Sequence, residues 1–356
     1  MSDNLSFETI QSSIRLAQSA EELRAIRDRV HEWYGIRAKG ERAVERSEAV
    51  NSIHDALIDR SVAIAESAWS AEAGPLPCPY AFVLFGSGGR REQTLWSDQD
   101  NGLVYAGGAD EEALYGEYFR ELAERIGQAL ESVGYPPCSG NVLSTNPKWR
   151  KPLSSWTAMM DGWMDDPQWE HVRYLLIVAD ARCIRGDRWL TERLLDHMDS
   201  RLRREPQLLA AMLRNTLHHK VAVGVFGQLI TERYGDDAGA FDVKYGAYIP
   251  MVNALRLLAY AHGVRESSSL ARIEGLRRKG LLDDKLAHEW ALAFEAVLKL
   301  RSETSYQLED GYYTTRGMLT LDRERRAELR RILRAGRRMQ QIVRREIEKA
   351  SIAKKG

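Results

Sequence analysis

The chain is 356 residues long, 44% hydrophobic and 29% charged, which places it above the usual size of one domain and outside the composition of disordered chains. Its 51 Lys and Arg balance 51 Asp and Glu, so net charge gives no electrostatic case for a nucleic-acid or membrane partner. No stretch approaches the length of about eighteen apolar residues that spans a bilayer. Cys78, Cys138 and Cys183 lie too far apart for a CxxC zinc site and do not form a disulfide framework.

The N-terminal "MSDNLSFETIQSSIRLA" carries acids and lacks an apolar core, so it does not read as a secretory signal, and a reducing cytoplasm is the expected location. "ETIQSSIRLAQSAEELRAIRDRVHEWY" and "AVNSIHDALIDRSVAIAESAW" repeat apolar residues at three- and four-residue intervals, predicting helices up to about residue 70. "AEAGPLPCPY" breaks the pattern as a domain entry. "AFVLF" and "NGLVYA" are rich in β-formers and read as strands. "DEEALYGEYFRELAERIGQALESVG" is an amphipathic helix with acids in its first turn and Gly134 as its stop. "SSWTAMMDGWM" predicts a further helix and "VRYLLIVADARCI" a buried strand. From about residue 187 nearly every segment is helical, ending in "RERRAELRRILRAGRRMQQIVRREIEKA". The expected organisation is an N-terminal helical segment (1–75), an α/β catalytic unit (76–190) and a C-terminal helical bundle (191–350).

Between the first two strands lies "FGSGGRREQTLWSDQDN". Glycines 86, 88 and 89 allow positive φ and would expose consecutive N–H groups as an anion-binding nest. Ser87 adds a hydroxyl, and Arg90 and Arg91 add positive charge. On a strand, Asp98 and Asp100 would share one face with Cα atoms roughly 7 Å apart. Paired carboxylates there suit one or two magnesium ions bridged to substrate phosphates. The plain alternative is a hairpin with a polar tip, because acids often decorate strand ends. The loop lacks the G-K-[ST] of a P-loop and is not a dinucleotide fingerprint.

"GSGGRREQTLWSDQDN" resembles the signature of the nucleotidyltransferases often fused to CBS or cyclic-nucleotide-binding domains. That family is related to protein-PII uridylyltransferase and glutamine-synthetase adenylyltransferase, in the DNA polymerase β-like superfamily. "CSGNVLSTNPKWRKPLSSW", "ADARCIRGD" and "FDVKYGAYIPMVNALRLLAYAHGV" resemble the same family in the same order, so the likeness spans roughly residues 60 to 345. Neither a CBS pair nor a cyclic-nucleotide domain is visible in the N-terminal helices. Gly88 and Arg91 depart from the common pattern within the turn.

The resemblance implies an α/β (α+β) core with a mixed sheet. It also implies that Gly86 and Ser87 hold a triphosphate, that Asp98 and Asp100 bind magnesium (or manganese), and that Asp180 is the third carboxylate. Arg90 and Arg182 are phosphate partners or, equally, members of structural salt bridges. The apolar run around Asp180 makes an unpartnered acid there expensive, and Arg182 on the same strand face is its alternative partner. Asp187 is a rival third acid, placed where an N-cap is natural.

Asp242 and Lys244 share a face if "FDVKYG" is extended; they either reach the cleft from the helical domain, with Lys244 at the nucleotide, or form a local ion pair. Asn146 and Trp149 either shape the nucleotide pocket or pack. His218 and His219 point about 100° apart on a helix and suit packing better than a metal. Residues 321–356 hold thirteen Lys/Arg against five Asp/Glu, a solvated face or a site for an acidic partner. The expected function is magnesium-dependent transfer of a nucleoside monophosphate from an NTP to a protein or small-molecule hydroxyl. The alternative is a catalytically silent nucleotide-binding regulatory module. Nucleic-acid tailing is disfavoured by the neutral charge, and no membrane partner is expected.

Overall fold

The computed structural model describes residues 6–37, 43–216, 221–222, 229–232 and 238–353. The chain forms two compact units: residues 1–160, 180–195 and 308–314 make the first, and residues 161–179, 196–307 and 315–356 the second.

The first unit opens with helices α1 (Phe7–Leu16), α2 (Ala20–Arg37) and α3 (Ala43–Ala73). Ser6 caps α1 by accepting the Thr9 N–H at 3.2 Å. A mixed sheet follows, in the order β3-β2-β1-β4, from β1 (Tyr80–Leu84), β2 (Asn101–Tyr105), β3 (Arg150–Pro152) and β4 (Arg182–Gly186). β1 pairs antiparallel with both β2 and β4, and β2 pairs parallel with β3. Every residue of β1 and β2 is buried, so both faces of the sheet are covered. Helix α4 (Gly86–Arg90) is a single turn between the two strands, and α5 (Ala109–Ser132) stacks Phe119 on Tyr105 with ring centroids 4.4 Å apart. α5 stops where Gly134 takes φ +98°. Trp149 and Trp156 pack on Phe85, the latter from α6 (Leu153–Asp165).

The three N-terminal helices, set apart by the sequence as residues 1–75, group with the sheet in this one unit, and α3 packs along α5. A second difference concerns "VRYLLIVADARCI". It is not one buried strand: α7 (Trp169–Val178) takes its first part, a turn holds Ala179 and Asp180, and only β4 is extended. Buried Val172, Leu175, Leu176 and Val178 follow helical spacing, and an apolar run this short satisfies either period.

In the second unit, α9 (Pro206–Thr216), α10 (Ile249–Ala261), α11 (Ser269–Arg278), α12 (Asp284–Ser302) and α13 (Arg323–Ala353) build the bundle; α8 (Arg188–Arg204) spans the division at residue 195. A Cβ on Gly336 would meet Met251 Cγ at 3.2 Å, which explains a glycine in mid-helix where α13 crosses α10. The two-residue strands β5 (Phe241–Asp242) and β8 (Met318–Leu319) pair antiparallel. Strands β6 (Gln307–Glu309) and β7 (Tyr312–Thr314) form a hairpin absent from the expected elements, and its residues 308–314 belong to the first unit. The hairpin tip, Asp310 and Gly311 with φ of 49° and 82°, is a turn that Asp-Gly favours. His218 and His219 lie outside the described residues.

Candidate active site

β1 delivers Phe85 in an extended conformation, and the chain turns at Gly86 with φ +51°. The Phe85 N–H bonds to the Asp100 carbonyl at 2.9 Å, continuing the β1–β2 pairing one step past the ladder. That pairing brings the Asp100 carboxylate over the turn: a Cβ on Gly86 would lie 2.5 Å from Asp100 Oδ2. Only glycine meets both the φ and the space.

The three glycines do not form a run of positive φ. Gly88 and Gly89 are helical residues of α4, and Gly89 is needed because a Cβ would lie 1.9 Å from the Asp180 carbonyl oxygen. The turn is therefore pressed between Asp100 on one side and the backbone at Asp180 on the other.

Asp98 and Asp100 lie just before β2, in the lead-in rather than the ladder. They line a pocket together with Leu84, Gly88 and Tyr135. The Cys138 thiol faces the same acids: burial first, then the Asp100 carboxylate it bonds to and the charge of Asp98, push it up to about 12.

Asp180 is 1% exposed and is met by Arg90, whose guanidinium also bonds Glu92 at 2.8 Å. The expected alternative partner, Arg182, lies elsewhere. Its guanidinium donates to the Gly88 and Gly89 carbonyls at 2.7 and 3.2 Å and pairs with Asp55 of α3 at 2.7 Å. It closes the C-terminal end of α4. Arg91, in left-handed conformation, adds a contact to the same Asp55 at 3.3 Å. Both Arg90 and Arg182 thus make the structural salt bridges that were their alternative reading.

Gly86, Ser87, Arg90, Asp98, Asp100, Asp180 and Arg182 belong to the first unit; Lys244 belongs to the second. The segment around Lys244 is not extended. Asp242 accepts the Tyr245 N–H at 2.9 Å and starts a helical turn, and Lys244 is exposed with its ammonium 5.5 Å from the Tyr245 ring. Asn146 caps a short turn by accepting the Lys148 N–H, and Trp149 is buried in packing. Asp187 is exposed just ahead of α8, where its carbonyl accepts the Leu190 N–H. Asp55, Glu92 and Cys138 were not expected at the site, although Glu92 and Cys138 fall inside the quoted motifs.

Among the described residues, no group of three or more His, Cys, Asp or Glu side chains is placed to hold a metal ion. Two hard carboxylates on a pocket beside a glycine turn still fit magnesium, which is commonly held by one or two carboxylates plus substrate phosphates.

The α/β core thus sets a glycine-serine turn against an acid pair. Residues 30–170 match the family described as "Putative nucleotidyltransferase DUF294", and residues 206–347 match its "Putative nucleotidyltransferase substrate binding domain". The chain belongs to this nucleotidyltransferase family and carries its substrate-binding domain. No curated protein matches the chain. No helix of the described residues is long and apolar enough to cross a membrane.

Proposed function

We propose that the protein is a cytoplasmic, magnesium-dependent nucleotidyltransferase that moves a nucleoside monophosphate from an NTP to a hydroxyl on a protein or small molecule, in signalling or metabolic regulation. The observation that carries this reading is the Asp100 carboxylate seated over Gly86, with Asp98 on the same pocket. Residues 76–190 would carry out the transfer, residues 191–350 would present the acceptor and residues 1–75 would brace the turn.

Gly86 and Ser87 would receive the triphosphate, because N–H groups that open a helical turn lack intrahelical partners. Asp98 and Asp100 would hold magnesium, or manganese in its place, which supplies charge neutralisation at the phosphates. The new bond joins the acceptor oxygen to the α-phosphorus as the bond to the bridging oxygen breaks; pyrophosphate leaves, and the hydroxyl proton passes to solvent. The chain contributes mainly position and preset charge. Arg182 acts on the nucleotide through the turn it braces, and Lys244 offers an exposed cation for the substrate. Asp180 would join the metal set once Arg90 turns to phosphate.

A second reading is a silent nucleotide-binding module. It is favoured by one observation: the Asp180 carboxylate is buried against Arg90. Incubation with each labelled NTP, magnesium and cell lysate separates the two. Label incorporated into an acceptor is the expected result, and magnesium-dependent binding without incorporation would establish the module instead.

A further inference from the structure

We propose that Gln99 and Asn101 are positioning residues that hold Asp98 and Asp100 at the pocket by locking residues 98–101 onto the loop 135–144. The role in metal and phosphate binding rests on the function proposed above; the lock itself does not.

β2 begins only at Asn101, so the strand ladder does not by itself fix the acids. Beyond the single Phe85–Asp100 backbone bond, their lead-in is held by two buried amides, 6% and 2% exposed. The Gln99 N–H donates to the Pro136 carbonyl at 3.0 Å, and its Nε2 donates to the Tyr135 carbonyl at 2.9 Å. Gln99 Oε1 accepts from Asn101 Nδ2 at 3.2 Å. Asn101 Oδ1 accepts the Ser144 N–H at 2.8 Å, and its own N–H donates to the Val142 carbonyl at 3.0 Å. Both amide groups are thus bonded at nitrogen and at oxygen.

Burying two primary amides is costly unless each bond is made, so such a pair fixes one register of the lead-in against one conformation of the loop. The same loop brings the Cys138 thiol to Asp100. Its first residue, Tyr135, is anchored through its hydroxyl to His54 Nδ1 at 2.7 Å. Each acid alternates with a buried amide, and all four residues border the same pocket, so the amide bonds fix the backbone on which the acids stand.

The test uses the full chain with Gln99→Met, which preserves volume, and Asn101→Ala. Iodoacetamide labelling is followed peptide by peptide, with Cys78 and Cys183 as internal references. Loosening the lock raises the Cys138 rate roughly fivefold or more, while the other two hold steady. The same variants weaken magnesium-dependent binding of ATP, UTP, GTP or CTP, whichever the wild type takes, by about tenfold and leave metal-free binding unchanged.

Unchanged Cys138 labelling in Gln99→Met overturns the lock. If Asn101→Ala does not fold, Gln99→Met decides alone, since it retains the Asn101–Ser144 bond. If Cys138 speeds up but magnesium-dependent binding is undiminished, the lock is purely structural and the positioning role is overturned. A wild type that binds no nucleotide defeats the proposed function instead, and the cysteine ratio still decides the lock.

Discussion

The Asp100 carboxylate fills the space that a side chain at Gly86 would need, with Oδ2 2.5 Å from the position of a Cβ. Gly86→Ala must therefore displace the acid as well as adopt a left-handed backbone. The backbone term alone costs roughly 1–2 kcal/mol. The expected outcome is a lowered melting temperature together with lost magnesium-dependent nucleotide binding. Full binding in a destabilised Gly86→Ala protein would show that the contact is only structural.

Asp98→Asn and Asp100→Asn should each abolish transfer while leaving the fold intact. Each variant removes a charge from a pair of like charges, so melting of the ligand-free protein should hold or rise slightly. Incorporation of labelled nucleotide is the measurement. Activity above about a tenth of wild type in either variant would exclude the metal-binding role.

The Arg90–Asp180 pair is almost fully removed from water, with Glu92 on the same guanidinium. Truncating one partner of such a pair typically costs about 3–5 kcal/mol, because the other is left buried and uncompensated. Arg90→Met should therefore destabilise strongly, and adding Asp180→Asn should recover part of the loss. Denaturant titration of the single and double variants measures the coupling. Strict additivity would mean that the pair contributes no interaction energy.

His54 is buried and held neutral, its Nε2 against the Thr94 carbonyl and its Nδ1 against the Tyr135 hydroxyl. Burial first, and then the nearby Arg27 charge, lower it from 6.5 to about 3. Below pH 6.5 the unfolded chain binds a proton that the folded chain refuses, so stability falls as the pH drops from 6.5 towards 3. The limiting slope is about 1.4 kcal/mol per pH unit for this one group. Denaturation midpoints between pH 7.5 and 5 should show it, and His54→Gln should flatten the dependence. An unaltered slope in that variant would assign the acid sensitivity elsewhere.

The sequence disclosed the parts of this site that are close in the chain. The turn at 86–90 and the acids at 98 and 100 sit within fifteen residues, and their residue types carry their chemistry. Distant relationships were not legible. That Gly89 exists to admit the Asp180 backbone, and that Arg182 closes α4 with Asp55, depend on packing between residues about ninety or more apart. α7 was misread because its apolar residues are nearly continuous, which hides the helical period. The hairpin at 307–314 had its signal in "EDGYY", a short stretch passed over between two strong helical patterns.

That hairpin makes the first unit inseparable from the C-terminal part of the gene. Tyr313 stacks on His31 with ring centroids 3.4 Å apart and donates its hydroxyl to Asp28, while Arg24 bonds the Gly311 carbonyl. A protein ending near residue 205 would lack this patch and would present the His31 ring and the Arg24 guanidinium to solvent. A chimaera that keeps the N-terminal half of this chain must accordingly carry residues 308–314 with it, as an insertion rather than as a tail. A single crossover between residues 205 and 308 would separate Tyr313 from the His31 it stacks on.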